Sequence, residues 1–452
     1  MQNDFGVGSV SKRIIAQSIP LMIAQLVQLL YNIVDRIYIG HLPGIGSMAL
    51  TGVGLTFPII TLVGAFTNLF GMGGTPLFSI ARGAREEERA ETILSNVFAL
   101  LLGCSLVLIL ICYLFKKPIL FLFGASEESY YYANLYLMIY ILGTPFTMTA
   151  TGMNGFINAQ GFPQIGMLTT VLGAVLNLIL DPIFIFVLKM GVQGAALATI
   201  ISQLISALWV VSFLSGDKPA YRLKRSRMRP QWALTKQIVT LGFSGFILQA
   251  TNSLCQILCN AMLQNFGGDL YVGVMTVLNS VRELFNLPVS GITDGFQSVL
   301  GFNYGAKKYG RVKEGIRFTI LIGLIYTFTA WMLIMIIPRF LMSLFTNDAE
   351  MIELGVHCMF LFFFGYIFMA LQYVAQGVFR GLGMAKPSIF FSIFRKVIIV
   401  SPLTVILPYL GLGTDGVFLA EPISNFVGGI ASFTTMWFIV YRKMDKLDQA
   451  QK

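Results

Sequence analysis

Histidine is nearly missing from this chain: His41 and His357 are the two examples in 452 residues. The five cysteines, Cys104, Cys112, Cys255, Cys259 and Cys358, all lie in apolar stretches without metal-ligand spacing. They read as small core residues, and neither a zinc site nor a disulfide is expected. Without a Cys/His cluster or a nucleophile–base pair, an enzyme is disfavoured, and no catalytic residue or cofactor is expected. A Gly-x-x-x-x-Gly-Lys-[Ser/Thr] phosphate loop is missing too, which argues against an ATP-driven pump within the chain. Charge is the largest deficit. Asp, Glu, Lys and Arg make up 12% of residues, where a soluble domain carries about 25%. The composition is that of an integral membrane protein.

Apolar runs of about 20 residues take the place of charge, and they favour helices over a barrel. Twelve are read, at roughly 14–39, 53–78, 93–115, 130–156, 165–188, 194–214, 236–263, 271–300, 315–338, 352–378, 388–410 and 416–441. The first is too long for a cleavable signal and lacks a small-residue cleavage site after it. The net charge of +10 could indicate nucleic acid, but its distribution argues otherwise. Counted from an inner N-terminus, 25 of the 31 Lys/Arg fall on inner segments. Four fall on outer loops (Lys116, Lys117, Lys189 and Arg339), and Arg36 and Arg282 fall within spans. This asymmetry places both termini in the cytoplasm of a cell-membrane protein, its basic segments facing anionic lipid. No nucleic-acid partner is expected.

Asn177-Leu178-Ile179-Leu180-Asp181-Pro182 puts an amide and a carboxylate one helical turn apart in the apolar segment Leu168 to Leu188. They share a face with Thr170 and Ala174. A carboxylate in a membrane helix is costly and marks a functional site by default. The bland alternative, an acid capping or bracing a helix end, is kept open by Pro182. The first segment adds a second acid. Gln25, Gln28, Asn32 and Asp35 fall in an arc of roughly 80° on an apolar helix, with Pro20 upstream as a kink point.

A shift of 222 residues maps Gly83-Ala84 onto Gly305-Ala306, Gly143 onto Gly365, Gly161 onto Gly383, Gly194 onto Gly416 and Ala198 onto Ala420. The chain therefore reads as a six-helix half (1–214), a cytoplasmic linker (215–235), a second six-helix half (236–441) and a cytoplasmic tail (442–452). Two repeats with an even number of helices share one orientation, which suits two lobes rocking about a cleft. The halves differ in polarity. The second carries Gln249, Asn252, Gln256 and Asn260 on one helix. Asn279, Glu283, Asn286, Ser290 and Asp294 lie on the next, and Tyr366, Tyr373, Gln376 and Arg380 further on. Asp35 and Asp181 are thus the candidate ion-binding acids of the first half. The candidate lining of a substrate cleft is Gln25, Gln28, Asn32, Gln249, Asn252, Gln256, Asn279, Glu283, Asp294 and Tyr373.

Two six-helix repeats, an Asp late in the first helix, Asn-x-x-x-Asp-Pro in the fifth and the Arg-Gly-Ala and Tyr-Gly-Ala loops resemble the multidrug and toxin extrusion (MATE) family over nearly the whole chain. Within it the sequence is similar to the DinF-type branch. That resemblance implies a proton or sodium site at Asp35, Asn177, Asp181 and Thr199, with Pro20 bending as the site changes protonation. The NorM-type branch places acids in helices 7 and 10, where this sequence has Gln, Asn, Cys and Tyr. The resemblance also implies export of bulky, lipophilic, often cationic drugs or toxins in exchange for H+ or Na+. The 38 Phe and 21 Met suit a soft pocket, although most are expected to face lipid or pack helices. Two carboxylates sharing a low-dielectric site resist both being ionised, which lets the pair hold a proton or a sodium ion. The competing function is a flippase or exporter of a lipid-linked or amphipathic metabolite, with Arg36, Arg282 and Arg380 as its basic candidates. A monomer among membrane lipids is expected.

Overall fold

The computed structural model describes residues 4–40, 42, 46–122 and 126–450. His41 and part of the outer turn after Leu122 lie outside the described residues, as does the Arg36 side chain. The described residues form an all-helical membrane protein of twelve passes. The first half holds α1 (Val10–Gly40), α2 (Phe57–Gly83), α3 (Glu87–Leu122), α4 (Glu127–Tyr140 and Thr144–Ala159), α5 (Pro163–Pro182) and α6 (Gly191–Ser215). The second holds α7 (Trp232–Gly267), α8 (Asp269–Gly305), α9 (Tyr309–Ile336), α10 (Ala349–Phe363 and Met369–Gly381), α11 (Ala385–Ile393, continuing through Phe394–Val400 and Ser401–Leu407) and α12 (Gly413–Met436).

Eight stretches are long and apolar enough to cross a membrane by themselves, the last, Ala385–Gln449, spanning both α11 and α12. The other passes miss that criterion for physical reasons. α4 is interrupted by the tight turn Ile141–Gly143, α10 bends by 44°, and α8 carries the polar seam read from the sequence.

The duplication is written into the backbone. Left-handed residues recur 222 positions apart: Arg85 (φ 60°) and Lys307 (56°), Gly161 (88°) and Gly383 (71°), Lys189 (53°) and Gly411 (97°), Gly191 (55°) and Gly413 (52°). Packing repeats as well. A side chain at Gly143 would meet Ile200, and one at Gly365 would meet Pro422, again 222 further on.

The chain divides into two compact units, Ile19–Gly242 and Phe5–Ser18 with Phe243–Lys452. The boundaries fall inside continuous helices, at Ser18/Ile19 in α1 and Gly242/Phe243 in α7. The linker of 215–235 therefore packs with the first unit. Asn96 donates to the Arg227 carbonyl (2.8 Å) and accepts from the Gln231 amide (3.0 Å). Gln160 exchanges two hydrogen bonds with the Tyr221 backbone, at 3.1 and 3.0 Å. In the second unit, Arg311 clamps the opening segment by donating to the carbonyls of Gly8 (2.7 Å) and Phe5 (2.9 Å).

Within the first unit α2 and α7 approach to backbone contact, as the glycines near Gly71 to Gly74 foreshadow. A Cβ built at Gly242 would run into the carbonyl of Leu69, and one at Gly73 into that of Ile238. Such backbone clashes have no flexible side chain to absorb them. Gly242→Ala is expected to remove most monodisperse protein in size-exclusion chromatography. Gly64→Ala, which meets open space, is expected to leave it unchanged.

Candidate functional site

The first unit gathers its polar residues around α5. Pro163 starts this helix at a position where its missing N–H costs nothing. Pro182 takes a donor from the far end, and the helix widens directly after it into a π turn, Ile183–Val187, two residues past Asp181. Asp181 is fully buried and Asn177 is 2% exposed. Asn177 Nδ2 donates to Asp181 Oδ1 at 3.3 Å and to Thr199 Oγ1 of α6, also at 3.3 Å. The Thr199 hydroxyl donates to the Ala195 carbonyl at 3.0 Å. Asp35 of α1 meets Asp181 closely enough for the two carboxyl groups to share a hydrogen bond. The four residues read from the sequence as an ion site thus converge from three helices.

Three residues at the site escape the sequence reading. Tyr31 and Tyr136 both reach the Thr199 hydroxyl, and Tyr140 interacts with Asp35. Tyr136 and Tyr140 stack with centroids 5.7 Å apart, in an apolar cluster with Ile185, Ala195 and Ala196. Tyr31 precedes Asp35 by one helical turn, a spacing that could have found it. The tyrosines of α4 carry no such signal. The dry setting leaves Asn177 Oδ1 and Asp181 Oδ2 buried without a hydrogen bond. Buried acceptors of this kind are expensive unless a proton or cation comes to them.

The second unit holds a cavity of about 550 Å³. Six of the expected cleft residues line it: Gln249, Asn252, Gln256, Asn279, Glu283 and Tyr373. Asp294 does not; it accepts from Gln297 Nε2 at 3.1 Å on the same helix. Gln25, Gln28 and Asn32 belong to the first unit, where Gln28 donates to Asn32 at 3.4 Å. Pro20 sits inside a continuous α1, two residues past the unit boundary.

The cavity wall also carries Arg282, Arg380, Arg395, Lys396 and Glu421. Glu421 of α12 accepts from Arg395 (2.5 Å) and Lys396 (3.1 Å) and forms an ion pair with Arg282 (3.3 Å). The π-helical stretch Phe394–Val400 of α11 presents Arg395 and Lys396. Ser401 and Cys255 donate to the Lys396 carbonyl at 2.9 and 3.3 Å. Arg380, Arg395 and Lys396, counted among the inner-segment charges of the sequence, are buried in helices of the second unit. Among the described residues no group of three or more His, Cys, Asp or Glu could hold a metal.

Comparison with known proteins agrees with this architecture. The MatE family matches residues 20–183 and 246–406. The multidrug export protein MepA of Staphylococcus haemolyticus is 26% identical over 98% of this chain and 96% of its own length. A crystal structure of MATE in the bent conformation superposes with a TM-score of 0.91 at 25% identity, covering 98% of this chain and 97% of that one. The outward-facing conformation of a multidrug resistance MATE family transporter of the MOP superfamily gives 0.89 at 25% identity, over 97% of each chain. With the family matched in both repeats and the fold shared nearly end to end, this chain belongs to the MATE family of membrane transporters and is not an enzyme.

Proposed function

We propose that this protein is a secondary antiporter. It exports bulky, lipophilic, often cationic drugs or toxins across the cytoplasmic membrane in exchange for H+ or Na+, by alternating access of its two halves. The observation that carries this reading is the Asp35–Asp181 pair, with carboxyl groups in hydrogen-bonding reach and an Asp181 oxygen left without a hydrogen bond. The pair can take up one positive charge, as a proton or as sodium. Asn177 Oδ1 and the Thr199 hydroxyl supply neutral oxygens of the kind a hard cation accepts. The MepA name supports multidrug export as the class of function.

Uptake of the ion changes the charge at the end of α1, whose opening turns belong to the second unit. α1 is therefore a covalent route from ion site to second half. An ion that binds one arrangement better than the other shifts the population by that difference in affinity. The experiment is efflux of ethidium from proteoliposomes under a sodium gradient or a pH gradient imposed separately. Efflux driven by one of them is expected and names the ion. Efflux indifferent to both would refute antiport and leave the flippase reading, which the basic cavity of the second unit favours, as the one to pursue.

A further inference from the structure

The cavity of the second unit is unbalanced in charge. Four cations line it, Arg282, Arg380, Arg395 and Lys396, against two acids, Glu283 and Glu421. Glu421 is shared by three of the cations. Glu283 is exposed and, among the described residues, forms no ion pair. Bracing of helices accounts for Arg395 and Lys396, which tie α11 to α12 through Glu421. It does not account for Arg380. That side chain is 9% exposed, lines the cavity and has no hydrogen bond or ion pair among the described residues. Its Nε is buried without an acceptor. With Nε buried and the side chain on the wall of a cavity that already holds three other cations, the guanidinium is placed to take an anion from that cavity.

The repeat sharpens the contrast. Glu421 lies 222 residues after Thr199, and Ile257, in the cavity wall, lies 222 after Asp35. In the second half the place of Asp35 is thus taken by an apolar residue, and that of Thr199 by an acid held between Arg395 and Lys396. We propose that the cavity of the second unit binds the acidic group of anionic or zwitterionic amphipathic compounds, with Arg380 as the unpaired cation that receives it. A guanidinium fork suits a carboxylate, sulfonate or phosphate. Gln249, Asn252 and Gln256 offer hydrogen bonds to the rest of the molecule. The volume falls within the range of small-molecule pockets. The proposal rests on the export reading for its physiological meaning but not for its test.

The test compares dansylglycine with its uncharged amide, two probes that differ by one negative charge. Binding is measured by fluorescence on the full chain in neutral phosphatidylcholine nanodiscs. The acid is expected to bind at least about tenfold tighter than the amide, and Arg380→Gln to abolish that preference. Arg380→Lys is expected to restore part of it. Equal binding of acid and amide to the wild type would overturn the proposal without any variant, as would an undiminished preference in Arg380→Gln. Displacement of dansylglycine by phosphatidylglycerol would identify a lipid headgroup as the anion; resistance to it would identify a soluble one. Ethidium efflux separates the two readings. Gradient-driven efflux without acid preference refutes this site alone, and acid preference without gradient-driven efflux refutes antiport alone.

Discussion

Asp181→Asn is expected to leave a folded protein that binds ethidium and no longer exports it in response to an ion gradient. Asparagine keeps the shape of the carboxylate and removes its charge, so the buried site loses nothing in packing. The hydrogen bond from Asn177 at 3.3 Å keeps an oxygen to accept it. What disappears is the ability to take up a positive charge. Coupling free energies between transport ligands are typically worth about 5–150-fold in affinity. Efflux is expected to fall by a factor in that range, to the level of empty liposomes. Asp35→Asn is expected to have the same effect, and the double variant to be no worse than either, because groups that act as one unit do not add. Gradient-driven efflux retained in both single variants would remove the pair from the mechanism and direct attention to Glu283 and Asp294.

The second large effect is on stability. Glu421→Gln leaves Arg282, Arg395 and Lys396 around a neutral amide in a helical interior, where Arg395 and Lys396 are buried. Breaking a buried ion pair by removing one partner costs about 3–5 kcal/mol, because the remaining charge is uncompensated. A marked drop in thermal midpoint is expected. Lys396→Met added to Glu421→Gln is expected to recover part of it, since one uncompensated cation is replaced by an apolar side chain of similar length. Glu283→Gln, at an exposed position, is expected to change the midpoint little. A Glu421→Gln protein as stable as wild type would show that water or lipid already screens the three cations.

Much of the fold is legible in the sequence because membrane helices announce themselves by length and apolarity. Even the polar stretch at 271–300 reads as a helix and is one, Asp269–Gly305. The repeat is legible because its glycines hold positions where a side chain would collide or the backbone turns left-handed. Asp35 and Asp181 stand out because an acid is anomalous in an apolar run. Arg395 and Lys396 do not stand out. Two cations near the inner end of a span look like a topology signal. Their role emerges only when Glu421, 25 residues beyond Lys396 and on another helix, is seen between them. The tyrosines of α4 are hidden for the same reason. Tyrosine is common in helices near membrane interfaces, and nothing local distinguishes the two that face an acid. Asp294 shows a different limit of sequence spacing: eleven residues from Glu283, it does not line the cavity with it and accepts from Gln297 on its own helix.

The measurement that bears most directly on antiport is ion movement recorded together with drug movement. Proteoliposomes are loaded with ethidium, and lumenal pH and lumenal sodium are followed during export, with Asp35→Asn and Asp181→Asn alongside. A coupled antiporter gives an ion flux opposite to ethidium, proportional to it, and lost in both variants. Export of ethidium by the wild type with no opposing flux of protons or sodium would contradict exchange at the Asp35–Asp181 pair.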